Sequence, residues 1–357
     1  LRARTLHSML GVGAKGETDS SEWSFRHNES CPWHYKIVFI DESSMPPVNI
    51  MAAVMKARAP GCHMMLVGDV NQLPPVGNGA PFRDMIAAGL PYGELREIKR
   101  FSGGIVEACA AIRDEQPWVN DYSRASDKNL IITETRGEEE QAEEILKIIH
   151  SESERGCNPI WDCQVLVAVN ERSALSRKVL NARLQDVLNS APKEEGTPFR
   201  VNDKVVCLKN GFYKLIEQAY DEECDEQMEG EAYVANGELG EVQAIERHRL
   251  IVSLDHPKRL IEIPRAKPKS GDSDSETGTG CNWDLGYALS VHKFQGSEQR
   301  IIIGVLDSYG GAKMVCDRAW LYTCISRAKD RCYLVGQSSL AERFCRVQKM
   351  NERKTFL

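Results

Sequence analysis

Short apolar runs punctuate the chain at 36–40, 63–67, 129–133, 164–169, 300–306 and 331–335. Each has the length and near-continuous hydrophobicity of a parallel strand covered on both faces. Between them the apolar residues fall at helical spacing. Residues 47–58 read as one helix and 138–150 as an amphipathic one. Residues 171–189 carry Leu175, Val179, Leu180, Leu184 and Val187 on one stripe. Strand alternating with helix predicts an α/β fold with doubly wound parallel sheets. Two blocks follow this pattern, 1–125 and 126–195, the second continued by 284–357.

The stretch between the halves of the second block has a different period. Val201 to Asn210, Ala235 to Val242 and Arg249 to Leu254 are short strand patterns separated by Gly and Asn turns. They predict a small SH3-like β-barrel over 196–266. Residues 267–283 begin with the Ser, Gly, Asp and Thr composition of a flexible loop, and 218–231 form an acidic loop.

The chain has 357 residues, enough for two or three cores, with 42% apolar and 27% charged residues. Its net charge of −7, from 45 Lys and Arg against 52 Asp and Glu, disfavours a non-specific polyanion binder. A local groove of opposite sign stays compatible with that total. No run reaches the roughly 18 apolar residues that cross a bilayer, and no signal peptide is visible, so no membrane partner is expected. The twelve cysteines are scattered without a Cys-x-x-Cys pair. That favours reduced thiols in a cytoplasmic protein over a zinc site. The first residue is Leu, and the expectation is that the sequence starts inside a longer polypeptide.

Candidate chemistry sits at the strand ends, where open α/β sheets place their ligands. Ile37-Val-Phe-Ile40 delivers Asp41-Glu42, the arrangement of a Walker B strand. In that role Asp41 would hold Mg²⁺ through water and Glu42 would polarise the attacking water. The next strand delivers Gly68-Asp69-x-x-Gln72-Leu73-Pro74-Pro75, with Gln72 as a neutral γ-phosphate sensor. Taken singly, the acid pair reads equally as a solvated strand end and the second segment as a Pro-rich loop. Arg100 ahead of Phe101-Ser102-Gly103 is a further candidate, or a surface cation. Tyr287 to Glu298 groups Ser290, His292, Lys293, Gln295 and Gly296. Tyr322-Thr-Cys-Ile-Ser326-Arg327 ends a helix with an arginine whose planar fork matches phosphate oxygens. The same arginine would also favour the helix C-terminus electrostatically.

In this order and spacing the segments resemble the superfamily-1 helicases, and the RecD-like branch in particular, over nearly the whole chain. Thr5-Leu-His7-Ser-Met-Leu10, Phe25-Arg-His-Asn28 and Leu180-Asn-x-x-Leu184-Gln185 add to the likeness, as do Asp203 to Asn210 and Asn236 to Val242. The resemblance implies two RecA-like P-loop NTPase motor domains, the first N-terminally truncated, with the SH3-like insert in the second. It implies an ATP-dependent DNA helicase or translocase, moving 5′→3′ on single-stranded DNA or duplex junctions, with ATP and Mg²⁺. By position, Glu42, Gln72, Arg100 and Arg327 would be catalytic, and Asp41, Asp69, Gly296 and Glu298 would bind nucleotide and metal. Thr5, His7, Pro74, Ser290 and His292 would line the strand track.

One departure matters. Family members carry a Gly-x-x-Gly-x-Gly-Lys-Ser/Thr loop ahead of the Thr-x-His segment, and the sequence has none. Gly11-Val-Gly-Ala-Lys15-Gly16 lies on the wrong side of Thr5 and lacks the hydroxyl. The expectation is a chain inactive for ATP hydrolysis alone, within a parent enzyme that is active. A non-catalytic nucleic-acid-binding or assembly subunit and an RNA helicase stand as alternatives. Repair, recombination, conjugation and phage replication are all compatible pathways.

Overall fold

The structure is a computed structural model that describes residues 4–11, 25–95, 102–119, 128–217, 219–221, 226–228, 230–255, 258–265, 281–349, 353 and 355. Arg100, Gly13 to Gly16 and most of the predicted flexible loop lie outside these.

The first unit is small. Helix α1 (Leu6–Leu10) begins at Thr5, whose Oγ1 accepts the Ser8 N–H at 3.2 Å. Strands β1 (Ile37–Ile40) and β2 (His63–Leu66) pair in parallel through α2 (Val48–Ala57), with Ile37 opposite His63. One sheet face buries Val38 and Ile40 against Leu10, Trp33, Met51, Val54 and Ala57. The other face leaves Ile37, Phe39, Met65 and Val67 about half exposed or more. Helix α3 (Pro81–Ala87) starts with proline, whose fixed φ suits a first helical position.

Helix α4 (Gly103–Arg113) falls within the first block by sequence pattern but packs on the second. Its apolar stripe of Ile105, Ala108, Cys109 and Ile112 finds its partners there. Asn129 secures its start by accepting the Ile105 N–H and donating to the Ser102 carbonyl.

The second unit opens with β3 (Leu130–Thr133), α5 (Glu138–Glu154), β4 (Cys163–Val167) and α6 (Arg177–Leu188). Helix α6 starts six residues later than its sequence pattern suggested. Arg172 takes a left-handed φ of 69°, and the Ser173 hydroxyl donates to Asp307 at 2.7 Å, pulling that segment out of helical geometry. Within α6, Leu180 and Leu184 are buried, whereas Val179 and Val187 stay exposed.

The inserted strands are β5 (Lys204–Cys207), β6 (Gly211–Leu215), β7 (Ala219–Asp221), β8 (Glu226–Met228), β9 (Glu231–Val234), β10 (Leu239–Ile245), β11 (Arg249–Asp255), β12 (Lys258–Pro264) and β13 (Trp283–Leu285). Apart from the β7–β8 hairpin they form one antiparallel sheet in the order β13-β5-β10-β11-β12-β6-β9. Residues 283–285 therefore belong with this sheet, beyond the expected end at 266.

The chain then returns through β14 (Ala288–Ser290), β15 (Gln299–Leu306), α7 (Gly310–Val315), α8 (Arg318–Ser326), β16 (Ala328–Gly336) and α9 (Ser338–Arg346). The five-stranded sheet β14-β4-β15-β16-β3 is parallel throughout. A Cβ on Gly304 would lie 2.6 Å from Cys324 Sγ, so glycine there lets α8 sit directly on β15.

Two buried acids fix the second unit. Asp203, with no exposure, accepts from Gln185, Asn189, Tyr287 and the Arg200 N–H, rooting the insert. Glu152, also unexposed, accepts from Arg331, from Arg155 at 2.7 Å and from Tyr333 at 2.5 Å. Burial pushes the Glu152 carboxyl up, but the Arg331 and Tyr333 hydrogen bonds and the arginine charges outweigh it, and the net displacement is downward. A folded value below the unfolded one gives stability that is complete above the unfolded value, about 4.3. It is lost as pH falls through the folded value. Glu152→Gln is expected to cost about 3 kcal/mol at pH 7 in urea unfolding, the low end for a broken buried pair because Arg331 keeps some exposure. The difference from the unsubstituted chain should narrow on titration below pH ~4.

Candidate active site

The acid pair follows β1 in a tight turn. The Ser43 hydroxyl donates to the Ile40 carbonyl and the Ser43 N–H to Val67, both at 2.7 Å. This places the acid loop against the loop after β2. Gly68 makes the approach possible, since a Cβ there would meet the Ser44 backbone nitrogen at 2.9 Å. Asp41 is exposed, and its Oδ1 accepts the Glu42 N–H at 2.8 Å. Glu42 takes a φ of 49°, a left-handed conformation that costs a non-glycine residue about 1 kcal/mol or more.

The second unit supplies the opposite wall. Gly296 has a φ of 80°, and a Cβ on it would lie 4.0 Å from Glu42 Oε1. The neighbouring Ser297 carbonyl accepts from Arg327 Nη1 at 3.3 Å. Arg327 is the C-cap of α8, only 2% exposed, with Nη2 also on the Ser326 hydroxyl. Glu298 pairs with Lys329 at 2.5 Å. The structure thus gathers Glu42, Gly296 and Arg327 at one seam.

Gln72 reaches the same seam on a loop held from both sides. Asp69 Oδ1 accepts from the Asn71 backbone and side chain, and Asp69 Oδ2 accepts from the Tyr322 hydroxyl at 2.8 Å. The Leu73 N–H donates to Thr323 Oγ1 and the Leu73 carbonyl accepts from Gln295 Nε2, each at 2.9 Å. Gln72 Oε1 is buried without a hydrogen-bond partner. Both oxygens of Asp69 are therefore engaged inside the protein, which fits a supporting role better than the nucleotide contact expected for it.

Tyr322, Thr323 and Gln295 carried no assigned role at the level of sequence. Their signal was a polar group at an otherwise apolar position: Thr323 is wholly buried in α8 between Leu321 and Cys324. Burial first, then the Asp69 charge, raises the Tyr322 phenol, so it remains a donor at neutral pH.

The expected strand residues are more dispersed. Thr5 spends its hydroxyl capping α1, and the His7 ring meets Phe25 edge-on at 6.2 Å. Pro74 is buried beneath the Gln72 loop. Ser290 Oγ accepts the Lys293 N–H, while Lys293 Nζ reaches Asn236 of the insert. Burial, reinforced by Arg353 and opposed by Asp317, lowers the His292 imidazole below its ordinary range. Arg353 in turn donates to the Pro75 carbonyl at 2.7 Å and the Gly77 carbonyl at 2.9 Å. Arg100 lies outside the described residues.

Two parallel α/β units thus meet at one seam, with an acid pair on one side and a buried arginine on the other. A family described as an AAA domain matches residues 1–135, and one described as a UvrD-like helicase C-terminal domain matches 285–335. The chain is 30% identical over 346 residues to the ATP-dependent RecD2 DNA helicase of Deinococcus radiodurans, covering 94% of this chain and 40% of that protein. It is 25% identical over 348 residues to the RecBCD enzyme subunit RecD of Mycolicibacterium smegmatis, covering 94% and 55%. The chain thus spans about half the length of these relatives. Bacteroides Pif1 bound to ssDNA shares the fold, with a TM-score of 0.51, 16% identity and coverage of 98% and 82%. Along nearly its whole length the chain is similar to the RecD-like superfamily-1 helicases.

Gly68→Ala is expected to force the acid loop from its place, at a cost of about 1–3 kcal/mol. A lower denaturant midpoint with an unchanged slope is the result that checks it.

Proposed function

We propose that this chain is the body of an ATP-dependent DNA motor, a RecD-like helicase or translocase moving 5′→3′ on single-stranded DNA. The observation that carries the reading is the seam, where the strained Glu42 faces Gly296 beside a buried arginine. An outlying backbone at a carboxylate, opposed by a glycine turn, suits a group aimed at a reacting atom. The RecD2 relative, named an ATP-dependent DNA helicase, supports the same reading.

The residues fit the implied nucleotide and metal. Asp41 offers hard oxygen to Mg²⁺, and the unpartnered Gln72 Oε1 suits a hydrogen-bond donor such as the attacking water, its Nε2 being the end that can donate to a phosphate oxygen. Bound Mg²⁺ would neutralise charge developing on the phosphates. On this proposal Asp41 holds the metal, Glu42 takes a proton from the attacking water, and Gln72, Arg100 and Arg327 face the γ-phosphate. Gly296 lets backbone approach it, and Glu298 contacts the ribose. Thr5, His7, Pro74, Ser290 and His292 line the track, Thr5 and Pro74 through backbone and shape.

We assign 1–125 to a first RecA-like motor domain, whose α4 packs on the second, 126–195 with 284–357 to that second domain, and 196–266 to an SH3-like insert followed by a flexible loop, with β13 at 283–285 joining the insert sheet. The half-exposed apolar face of the β1–β2 sheet supports a first domain completed by further structure, including the phosphate loop that the sequence lacks. The eleven described cysteines are free thiols, which supports a cytoplasmic setting.

Two measurements bear on this reading. Fluorescence anisotropy with a labelled oligothymidylate should show binding that weakens linearly in log salt. Because His292 is held neutral, His292→Ala should weaken binding without flattening that slope; failure of the unsubstituted chain to bind DNA would refute the reading. The chain by itself is expected to hydrolyse ATP negligibly. In the polypeptide that completes the phosphate site, Arg327→Ala should slow hydrolysis by about 10³-fold or more, as for a lost arginine finger. Glu42→Gln should abolish hydrolysis while DNA binding persists.

A further inference from the structure

We propose that Tyr322 and Thr323 are positioning residues that lock the Gln72 loop to the helix bearing Arg327, so that sensor and finger move as one body. The proposal rests on the seam being the nucleotide site argued above.

Helix α8 carries three of the groups involved. Arg327 closes its last turn, Thr323 lies four residues earlier and Tyr322 five, so they are separated by about 6–8 Å along the axis. A continuous chain of bonds joins them. Arg327 Nη2 donates to the Ser326 hydroxyl, and that hydroxyl donates to the Thr323 carbonyl at 3.1 Å. Thr323 Oγ1 accepts the Leu73 N–H, one residue beyond Gln72.

Leu73 is 2% exposed, yet both its backbone polar groups are satisfied by side chains of the second unit. Buried backbone groups are seldom left unpaired, so the loop cannot drift from α8 without losing partners that water does not replace. Gln295, the donor to the Leu73 carbonyl, precedes Gly296, and the same contact thus ties the sensor loop to the phosphate-approach turn. Tyr322 adds the outer hold. Its hydroxyl fixes Asp69 Oδ2 while Asp69 Oδ1 shapes the Asn71 turn. Leu73, Cys109 of α4, and Leu321 and Cys324 of α8 share one buried cluster, so apolar packing lies against the bridge.

A motor opening at this seam would therefore part between Glu42 and Gly296, where no hydrogen bond crosses among the described residues. The bridge itself would travel intact. Pro74 follows Leu73, so displacement of Arg327 would also be felt at the strand track.

Amide hydrogen exchange on the whole chain tests the lock. Tyr322→Phe should accelerate exchange at Gln72 and Leu73 by roughly fivefold to tenfold, the factor that one net hydrogen bond represents. Exchange in β15 and β16 should be unchanged. Asp69→Ala should do the same, with no further gain in the double variant, whereas Asp69→Asn keeps an acceptor and should restore slow exchange. Unchanged exchange at Leu73 in both Tyr322→Phe and Asp69→Ala, or equal acceleration throughout β15 and β16, would overturn the proposal. In the complete ATP-hydrolysing polypeptide, Tyr322→Phe should lower kcat and leave KM for ATP unchanged; a raised KM at constant kcat would also overturn it. If the chain binds no DNA, the motor reading fails while the exchange comparison still judges the lock.

Discussion

Pairing the Leu73 backbone with Thr323 and Gln295 is the constraint on which the arrangement of the two units depends. A loop carrying a sensor must leave its own sheet to reach a neighbouring one, and in doing so it abandons the partners a strand would supply. Here the second unit provides them from a helix and a turn that also carry Arg327 and Gly296. The apolar surroundings of Leu73 make those bonds hard to exchange for water. The position of Gln72 is thereby set by the second unit, although its sequence belongs to the first.

The insert is joined to the second unit by an equally polar root. Asp203 collects four donors from three separate segments, and Lys204 beside it sends Nζ to the Ile160 and Cys163 carbonyls. Burial lowers the Lys204 ammonium to about 8, opposed by nearby Cys163 and Asp162. At its far end the insert touches Lys293 through Asn236, and Gly237 packs against the Lys293 carbonyl. The antiparallel sheet therefore bears on the segment containing Ser290 and His292, and a rigid root lets force pass between them.

The parallel sheets were legible because a strand buried on both faces needs an unbroken apolar run, as at 164–169 and 300–306. The Asp41-Glu42 turn was legible because two adjacent acids ending such a run must meet solvent, a cation or a polar ligand. Strand β12 was missed because its buried face is Arg259, Ile261 and Ile263 with Leu260 on the other side, which leaves no clean apolar and polar alternation. The short strands β6 and β9 gain their identity from pairing with each other, which no local pattern records. Helix α4, not read from the sequence, shows the same limit: the stripe of Ile105, Ala108, Cys109 and Ile112 states that a helix packs, and leaves open against what. The roles of Tyr322 and Thr323 depend on contacts some 250 residues away, beyond reach of any spacing rule.

The two-strand sheet of the first unit has a consequence for the chain in solution. Among the described residues both strands are edges, and Ile37, Phe39, Met65 and Val67 lie on one exposed face with His63 opposite Ile37. An open parallel edge with such a face is a template for strand addition by any similar segment. Its Glu42 end is charged, but the face itself carries no lysine or proline to deter stacking. Made without whatever covers that face, the polypeptide would tend to associate through its smallest unit while its larger core stayed folded. Solubility would then be governed by a few strand residues of the first unit.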